Sequence, residues 1–489
     1  MIADKPKHAG RKAVPMQEKK AGYKVYLTQE QQEDIEYFGV GASFSERCAN
    51  LITLELEKQK ELAKETVRII DLFAGLGGIR LGFEQGLEKQ GLHAKCVFTS
   101  EIKKYAIKAY QNHFGNEKIY GDITQISTED IPDFDVLLAG FPCQPFSSAG
   151  KGLGFSDTRG TLFFEIERII SEKKEAGKPV KAFFLENVEG LVNHDKGNTL
   201  KVIISKLKKL GYKVSWKVLD SQNFGLAQSR KRIYIVGTLN KIIDLNEFES
   251  STATFADIME HGLQTVKSKF TKCLFSNFSA EEVLGKSIKD KRGGSDNIHS
   301  WDIDLKGKTT KEQRELLNLL LRERRKKKWA EEIGIKWMDG MPLTYEQIKT
   351  FYNKKDLQQM LADLVKKGYL AFEHPKALIE GERKPDLSKP KGYNIIAGKL
   401  SFEFSKILDP NDLAPTLVAM DVSKLGVIDG QGIRRLTIRE GQKLCGYDPD
   451  TYDLSIIKES EAFDLLGNTV CVPVISAIAE KLAVAIKES

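Results

Sequence analysis

Cys143 is the residue of this 489-residue sequence best placed for nucleophilic chemistry. It sits in Gly140-Phe-Pro-Cys-Gln-Pro-Phe-Ser-Ser-Ala-Gly150, directly after the apolar run Asp135-Val-Leu-Leu-Ala139. That run reads as a buried parallel strand, so the thiol falls just past a strand's C-terminal end. Ligands of open α/β sheets bind along that edge. Pro142 and Pro145 stiffen the backbone around the cysteine, and Gly150, Gly152 and Gly154 loosen the adjoining loop. A thiol on a stiff turn beside a mobile loop suggests a nucleophile under a lid; a buried structural cysteine is the alternative. Glu186 closes a second apolar strand, Val180–Leu185, and could share a cleft with the thiol. Its other reading is an acid favoured by a helix N-terminus. In Gln228-Ser-Arg-Lys-Arg232, Arg230 and Arg232 alternate, so on a strand they share a face and would flank the same edge.

Strands and turns must bring these groups together, and the chain supplies them in order. Val67–Asp71 reads as a strand entering Leu72-Phe-Ala-Gly-Leu-Gly-Gly78 and then a helix to about Leu87. Strand, glycine turn and helix together mark a nucleotide site, here with G-x-G-G spacing because position 80 is arginine. A second strand, Ala94–Ser100, ends at Glu101, an acid able to accept from ribose hydroxyls. A third turn, Gly121-Asp-Ile-Thr124, sets Asp122 at the same edge. Helices near 160–174 and 198–210 and a hairpin-like pair, Lys213–Leu219 with Arg232–Gly237, complete a Rossmann-like α/β sheet.

Composition narrows the setting. Hydrophobic residues make up 41% and charged residues 29%, enough for a sizeable core and two or three domains. Six scattered cysteines form no CxxC pair, which predicts neither a metal site nor a disulfide framework and fits a reducing cytoplasm. No apolar run is long enough for a bilayer span, and no signal sequence opens the chain. The net charge of +7 leans toward a polyanion. Residues 1–24 read as a basic arm and 28–65 as a helical extension. The regular alternation breaks from 240 to 430. There, 310–328 reads as a helix ending in the basic run Arg322–Lys328, with shorter helices at 343–352 and 356–367 and a strand at 369–372. Three helices with a strand hairpin fit a winged helix-turn-helix as well as a plain helical insertion.

DLFAGLGG, GDIT, GFPCQPFS, ENV, QSRKR, RRLTIREGQKLCGY and GNTVCVPV, in that order over residues 67–487, resemble the blocks of the DNA (cytosine-5) methyltransferases, the prokaryotic type II modification methylases among them. The resemblance implies an S-adenosylmethionine-dependent methyltransferase fold with a smaller target-recognition domain. It divides the chain into an extension (1–66), a catalytic and cofactor-binding part (67–240), a recognition part (241–430) and a return to the catalytic domain (431–489). It implies Cys143 as nucleophile, Glu186 as partner of the cytosine N3 edge, and Arg230 and Arg232 as pocket lining. Asp71, Phe73, Gly75, Leu76 and Gly78 would hold the methionine part of the cofactor, Glu101 the ribose, and Asp122 with Ile123 the adenine. Pro142, Leu162, Asn468 and Val470 would complete that pocket. Ile102 stands where the family often has tryptophan against the adenine. Gln144, Gln228, Arg324, Arg325 and Lys326 are the expected DNA contacts.

The implied partners are double-stranded DNA and a cognate restriction endonuclease, with no membrane, for a cytoplasmic, nucleoid-associated monomer. The chemistry agrees. C5 of cytosine becomes nucleophilic once a thiolate adds to C6 and an acid supports N3, and in a duplex the base must first be flipped out. Exocyclic amine methylation lacks its acidic-Pro-Pro-aromatic motif here. A tRNA cytosine-5 methyltransferase would have a shorter recognition region, and an inactive DNA-binding regulator would tolerate loss of Cys143 or Glu186.

Overall fold

A computed structural model describes residues 24–142, 162–291, 296–336, 338, 340–379, 382–397 and 402–488. Cys143, Gln144, the glycines of the loop after them and residues 1–23 of the basic arm lie outside the described residues. The chain divides into two compact units, Met1–Thr66 and Val67–Ser489. In the first, Thr28 forms a capping box with Gln31 at the start of α1 (Gln29–Phe38), and Ser43 caps α2 (Phe44–Glu65).

The second unit begins with β1 (Thr66–Leu72), α3 (Gly78–Glu88), β2 (His93–Ser100), α4 (Lys104–Phe114) and β3 (Ile119–Tyr120). Next come β4 (Val136–Gly140), α5 (Leu162–Glu175), β5 (Ala182–Val188), α6 (Asn198–Lys209), β6 (Lys213–Asp220) and β7 (Lys231–Thr238). These strands make a seven-stranded sheet in the order β3-β2-β1-β4-β5-β7-β6. β1, β4 and β5 run parallel, while β7 runs antiparallel to both β5 and β6. Val136–Ala139 and Ala182–Glu186 are buried throughout, as strands covered on both faces must be. The chain moves outward from β1 through β2 to β3, then returns to place β4 on β1's other side. That reversal opens a crevice at the carboxyl ends of β1 and β4.

The stretch after β7 carries α7 (Lys269–Asn277), β8 (Ser287–Ile288), β9 (Asn297–Ile298), α8 (Lys311–Glu323), α9 (Lys328–Glu332), α10 (Tyr345–Lys349) and α11 (Leu357–Lys366). It continues with β10 (Leu370–Glu373), β11 (Lys376–Ile379), β12 (Glu382–Pro385), β13 (Gly392–Ile395), β14 (Lys406–Ile407), β15 (Leu425–Asp429) and β16 (Gly432–Arg435). A second, five-stranded sheet has the order β16-β15-β14-β8-β9, and its β15–β16 hairpin straddles residue 430. The helix expected over 310–328 is two helices. α8 stops at Glu323, and Arg324 to Lys326 form a turn closed by Lys326 N–H donating to the Glu323 carbonyl at 2.9 Å. The Arg324 side chain turns inward there.

The chain ends in α12 (Ile438–Cys445), α13 (Glu459–Asn468) and α14 (Val472–Lys487). α14 buries ten side chains and lies along α3. A glycine row on α3 permits the approach. A Cβ on Gly82 would stand 2.6 Å from the Ile475 Cβ, and one on Gly86 would collide with the Ser476 carbonyl. Among the described residues no single helix is long and apolar enough to cross a membrane.

Candidate active site

The turn between β1 and α3 is held in an unusual conformation. Phe73, Gly75 and Gly77 all have positive φ, at 57°, 55° and 70°. For Phe73 this costs on the order of 1–3 kcal/mol and persists only because the surroundings fix it. Ala74 N–H donates to the Ser100 carbonyl at 3.1 Å, and Gly75 N–H to Glu101 Oε2 at 2.8 Å. Tyr452 Oη donates to the Leu76 carbonyl from the far end of the chain. Among the described residues a Cβ on Gly75 would meet nothing within 4 Å, so this turn borders open space there. Gly78 differs: its missing Cβ makes room for Tyr447 Oη and for Val470. Its need for glycine is therefore packing beneath the turn.

Acids follow at the neighbouring strand ends. Glu101 Oε1 accepts from the Ile102 and Lys103 amides, each at 2.8 Å. With Gly75 these make three donors against about four acceptor positions, so one remains for a ligand. Asp122 is exposed and caps the next turn by accepting from Thr124 N–H at 3.0 Å, while Ile123 beside it is buried. Ile102, 70% exposed, offers an apolar surface between them. Asp71 lies beneath the turn at 1% exposure, and its Oδ1 has no hydrogen-bond partner among the described residues. Burial pushes its carboxyl up to about 7, against the pull of Arg80. Pro142 and Leu162 are half-buried where the described chain stops and resumes. Asn468 is exposed and bonded to the Asp464 carbonyl at 2.8 Å, and Val470 is buried in the core below.

Beside this turn, Gly140 pairs in register with Glu186. Glu186 is almost fully buried, and Arg232 Nε lies 3.1 Å from its Oε1. The register explains the meeting: Val188 opposes Arg232, so Arg232 shares a face with Glu186 two residues away. Burial pushes the Glu186 carboxyl up, and Arg232 and then Arg230 pull it back in part. Asn187 Nδ2 donates to the Phe141 carbonyl at 3.1 Å, which ties the chain two residues before Cys143 to β5. The sequence offered Asn187 only as a member of the ENV block, with no role of its own.

Arg230 and Gln228 are placed differently from the pocket and DNA roles expected of them. Arg230 is 2% exposed, and its guanidinium donates to the carbonyls of Leu417, Gly467 and Thr469 at 2.8, 3.2 and 2.5 Å. It clamps distant segments, acting on Glu186 only through its charge. Gln228 is fully buried, donating to the Leu444 carbonyl at 2.8 Å and accepting from Leu417 N–H at 3.0 Å, so it cannot reach DNA in this arrangement. Asp220, which sequence reasoning missed, organises the loop. It accepts from Arg230 N–H and from Ser229 Oγ, both at 2.9 Å. Of the three basic residues expected on DNA, Arg324 is buried, with Nη1 donating to Asn394 Oδ1 at 2.7 Å. Arg325 is half-buried, and Lys326 is exposed and paired with Glu323.

A doubly wound sheet with a strained glycine turn after β1, acids after β2 and β3, and a buried acid after β5 is the Rossmann-like sheet of S-adenosylmethionine-dependent methyltransferases. Comparison with known proteins gives the particular family. The family model described as C-5 cytosine-specific DNA methylase matches residues 67–483. The chain belongs to that family and is a DNA (cytosine-5-)-methyltransferase. It is similar to the type II methyltransferase M.NlaIV of Neisseria lactamica, 57% identical over 86% of this chain and 99% of that protein. The type II methyltransferase M.BanI of Aneurinibacillus aneurinilyticus is 42% identical over 85% of this chain and 95% of its own. Among solved structures, the Entamoeba histolytica methyltransferase EhMeth aligns with a TM-score of 0.48 at 16% identity, over 85% of this chain and 98% of that one.

Proposed function

We propose that the chain methylates C5 of a cytosine extruded from duplex DNA, with Cys143 as covalent nucleophile and Glu186 as the acid at N3. The observation that carries this reading is the Gly140–Glu186 register. β4 delivers the chain toward Cys143 beside a buried acid already paired with Arg232. Cys143 adds its thiolate to C6, and Glu186, whose hold on a proton desolvation strengthens, supports the charge that develops toward N3. Arg232 holds the Glu186 carboxyl in place. Loss of the C5 proton and breaking of the S–C6 bond then free the base and restore the thiolate. Asn187 anchors the strand from which the Cys143 loop departs.

S-adenosylmethionine, when bound, supplies the electrophilic methyl group that C5 takes. The chain fits it. Gly75 borders open space, Glu101 keeps an acceptor position for a ribose hydroxyl, and Asp122, Ile123 and exposed Ile102 stand beside it for the adenine. Asp71, Phe73, Leu76, Pro142, Leu162, Asn468 and Val470 would complete the pocket. Glu101→Ala is expected to weaken cofactor binding by about 1–3 kcal/mol, the loss of a hydrogen-bond partner. Calorimetry that found cofactor affinity intact and DNA affinity reduced would reverse the assignment.

Both relatives described above are named type II methyltransferases, which supports a place for this chain in a restriction-modification system. In that system we take it to act as a monomer beside a cognate endonuclease. Bisulfite sequencing of DNA from cells expressing the chain tests the reading. One short sequence should carry 5-methylcytosine throughout; unmodified cytosines everywhere would reject it.

A further inference from the structure

We infer that residues 301–397 form a winged-helix module that reads DNA in the major groove through α11, with Gln358 and Gln359 contacting base edges. The inference rests on the DNA methylation proposed above and concerns how the target sequence is chosen. The segment has its own core, in which Trp301, Leu317, Leu320, Leu343, Leu361 and Leu364 are fully buried together. Its order is α8, the one-turn helix α9, a bridging residue at Leu343, α10, α11, β10, the β11–β12 hairpin and β13. Leu343 bridges Tyr393 of β13, and β13 pairs antiparallel with β10, so the strands lie in the order Leu343, β13, β10. A helix, a short strand, a helix-turn-helix and a two-stranded wing in this order are the parts of a winged helix. In helix-turn-helix proteins the second helix of the pair enters the major groove.

The surface of α11 suits that use. Leu357, Met360, Leu361 and Leu364 face the core. Gln358, Gln359, Ala362 and Lys366 are exposed on the other side, with Lys354 and Lys355 exposed at its entry. Neither glutamine side chain makes a hydrogen bond among the described residues. A glutamine amide is matched to adenine N6 and N7, and a small apolar residue such as Ala362 to a thymine methyl. The acid within the helix, Asp363, is tied back by Gln313 Nε2 at 2.7 Å and by Lys367. Lys376 and Arg383 on the wing strands are exposed as well. A face of cations and free amides, its acids limited to Asp356 beside Lys354 and Lys355 and to the tied-back Asp363, is complementary to duplex DNA.

The test uses the full chain and the site found by bisulfite sequencing of DNA methylated by the wild type. Duplexes carrying that site, or single base-pair changes in it, are compared with random duplex DNA by binding and by methylation. Gln358→Ala/Gln359→Ala should lower kcat/KM at the site by about tenfold or more and relax the preference at one or two base pairs. Its melting temperature, its affinity for random DNA and its salt dependence should stay as in the wild type. Lys354→Ala/Lys355→Ala should weaken binding to every duplex and flatten the slope of log affinity against log salt. A folded glutamine variant with the wild-type site profile, or a lysine variant with an unchanged slope, would overturn the inference. Trapping of the wild type on 5-fluorocytosine DNA reports the chemistry of Cys143, and binding to the duplex series reports this module. A wild type that fails to trap sinks the catalytic reading, and the binding comparison still decides the role of α11.

Discussion

Replacing Cys143 by serine is expected to abolish methyl transfer, a loss of about 10⁴-fold or more, as when an enzyme's covalent nucleophile is removed. Cytosine C5 is a poor nucleophile until a thiolate occupies C6, and a serine hydroxyl at neutral pH is far less nucleophilic than a thiolate. DNA carrying 5-fluorocytosine sharpens the test. Fluorine at C5 cannot leave as a proton does, so the S–C6 bond persists and the protein stays attached to the duplex when cofactor is present. The wild type should give a denaturation-resistant complex and Cys143→Ser none. An adduct that survives the substitution would remove Cys143 from the mechanism. Cofactor binding should be retained in the variant, since the proposed cofactor residues at the ends of β1, β2 and β3 are untouched.

Glu186→Gln should lower kcat by about 10²–10⁴-fold, the usual contribution of a positioned general acid. The amide still fits beside Arg232 but offers no exchangeable acid to N3. The pH dependence separates this role from simple packing. Burial raises the Glu186 carboxyl above its ordinary range and outweighs the attraction of Arg232. The protonated, active form is therefore present at low pH and lost as pH rises through the raised value, so wild-type kcat should fall on the alkaline side. In Glu186→Gln that limb should vanish. Stability follows the same sign. A carboxyl with a raised folded pKa contributes stability that is complete below its unfolded pKa and lost as pH rises through the folded one. The melting temperature of the glutamine variant, relative to wild type, should therefore improve with rising pH. An alkaline limb that persists unchanged in the variant would show that another group titrates.

The local grammar of strand, turn and helix was legible in the sequence. An apolar run of five to seven residues followed by glycine or proline is a buried strand and its turn. A chain of such units builds a parallel sheet whose carboxyl ends lie along one edge. That alone sets Glu101, Asp122 and Glu186 near the turn that begins at Phe73, where the structure has them. The i, i+3, i+4 pattern of Leu357, Met360, Leu361 and Leu364 likewise defined α11 and its buried face. The distribution of the cations was not legible in the same way. Arg230 read as pocket lining, and Gln228 and Arg324 as DNA contacts, because their partners lie far along the chain. Arg230 bonds to Leu417, Gly467 and Thr469, and Arg324 to Asn394.

The sequence by itself determined the order of strands and turns, the acids at their ends and the family. These depend on neighbours within a few residues, where backbone geometry and hydrophobic periodicity act. Only the tertiary structure decided that Arg232, and not Arg230, is the direct partner of Glu186, that Gly78 serves α3 packing, and that the basic run contains a buried arginine, Arg324. Each of those outcomes turns on whether a polar side chain finds acceptors or van der Waals neighbours on a distant segment. A buried charge is tolerated only where folding has already assembled its partners.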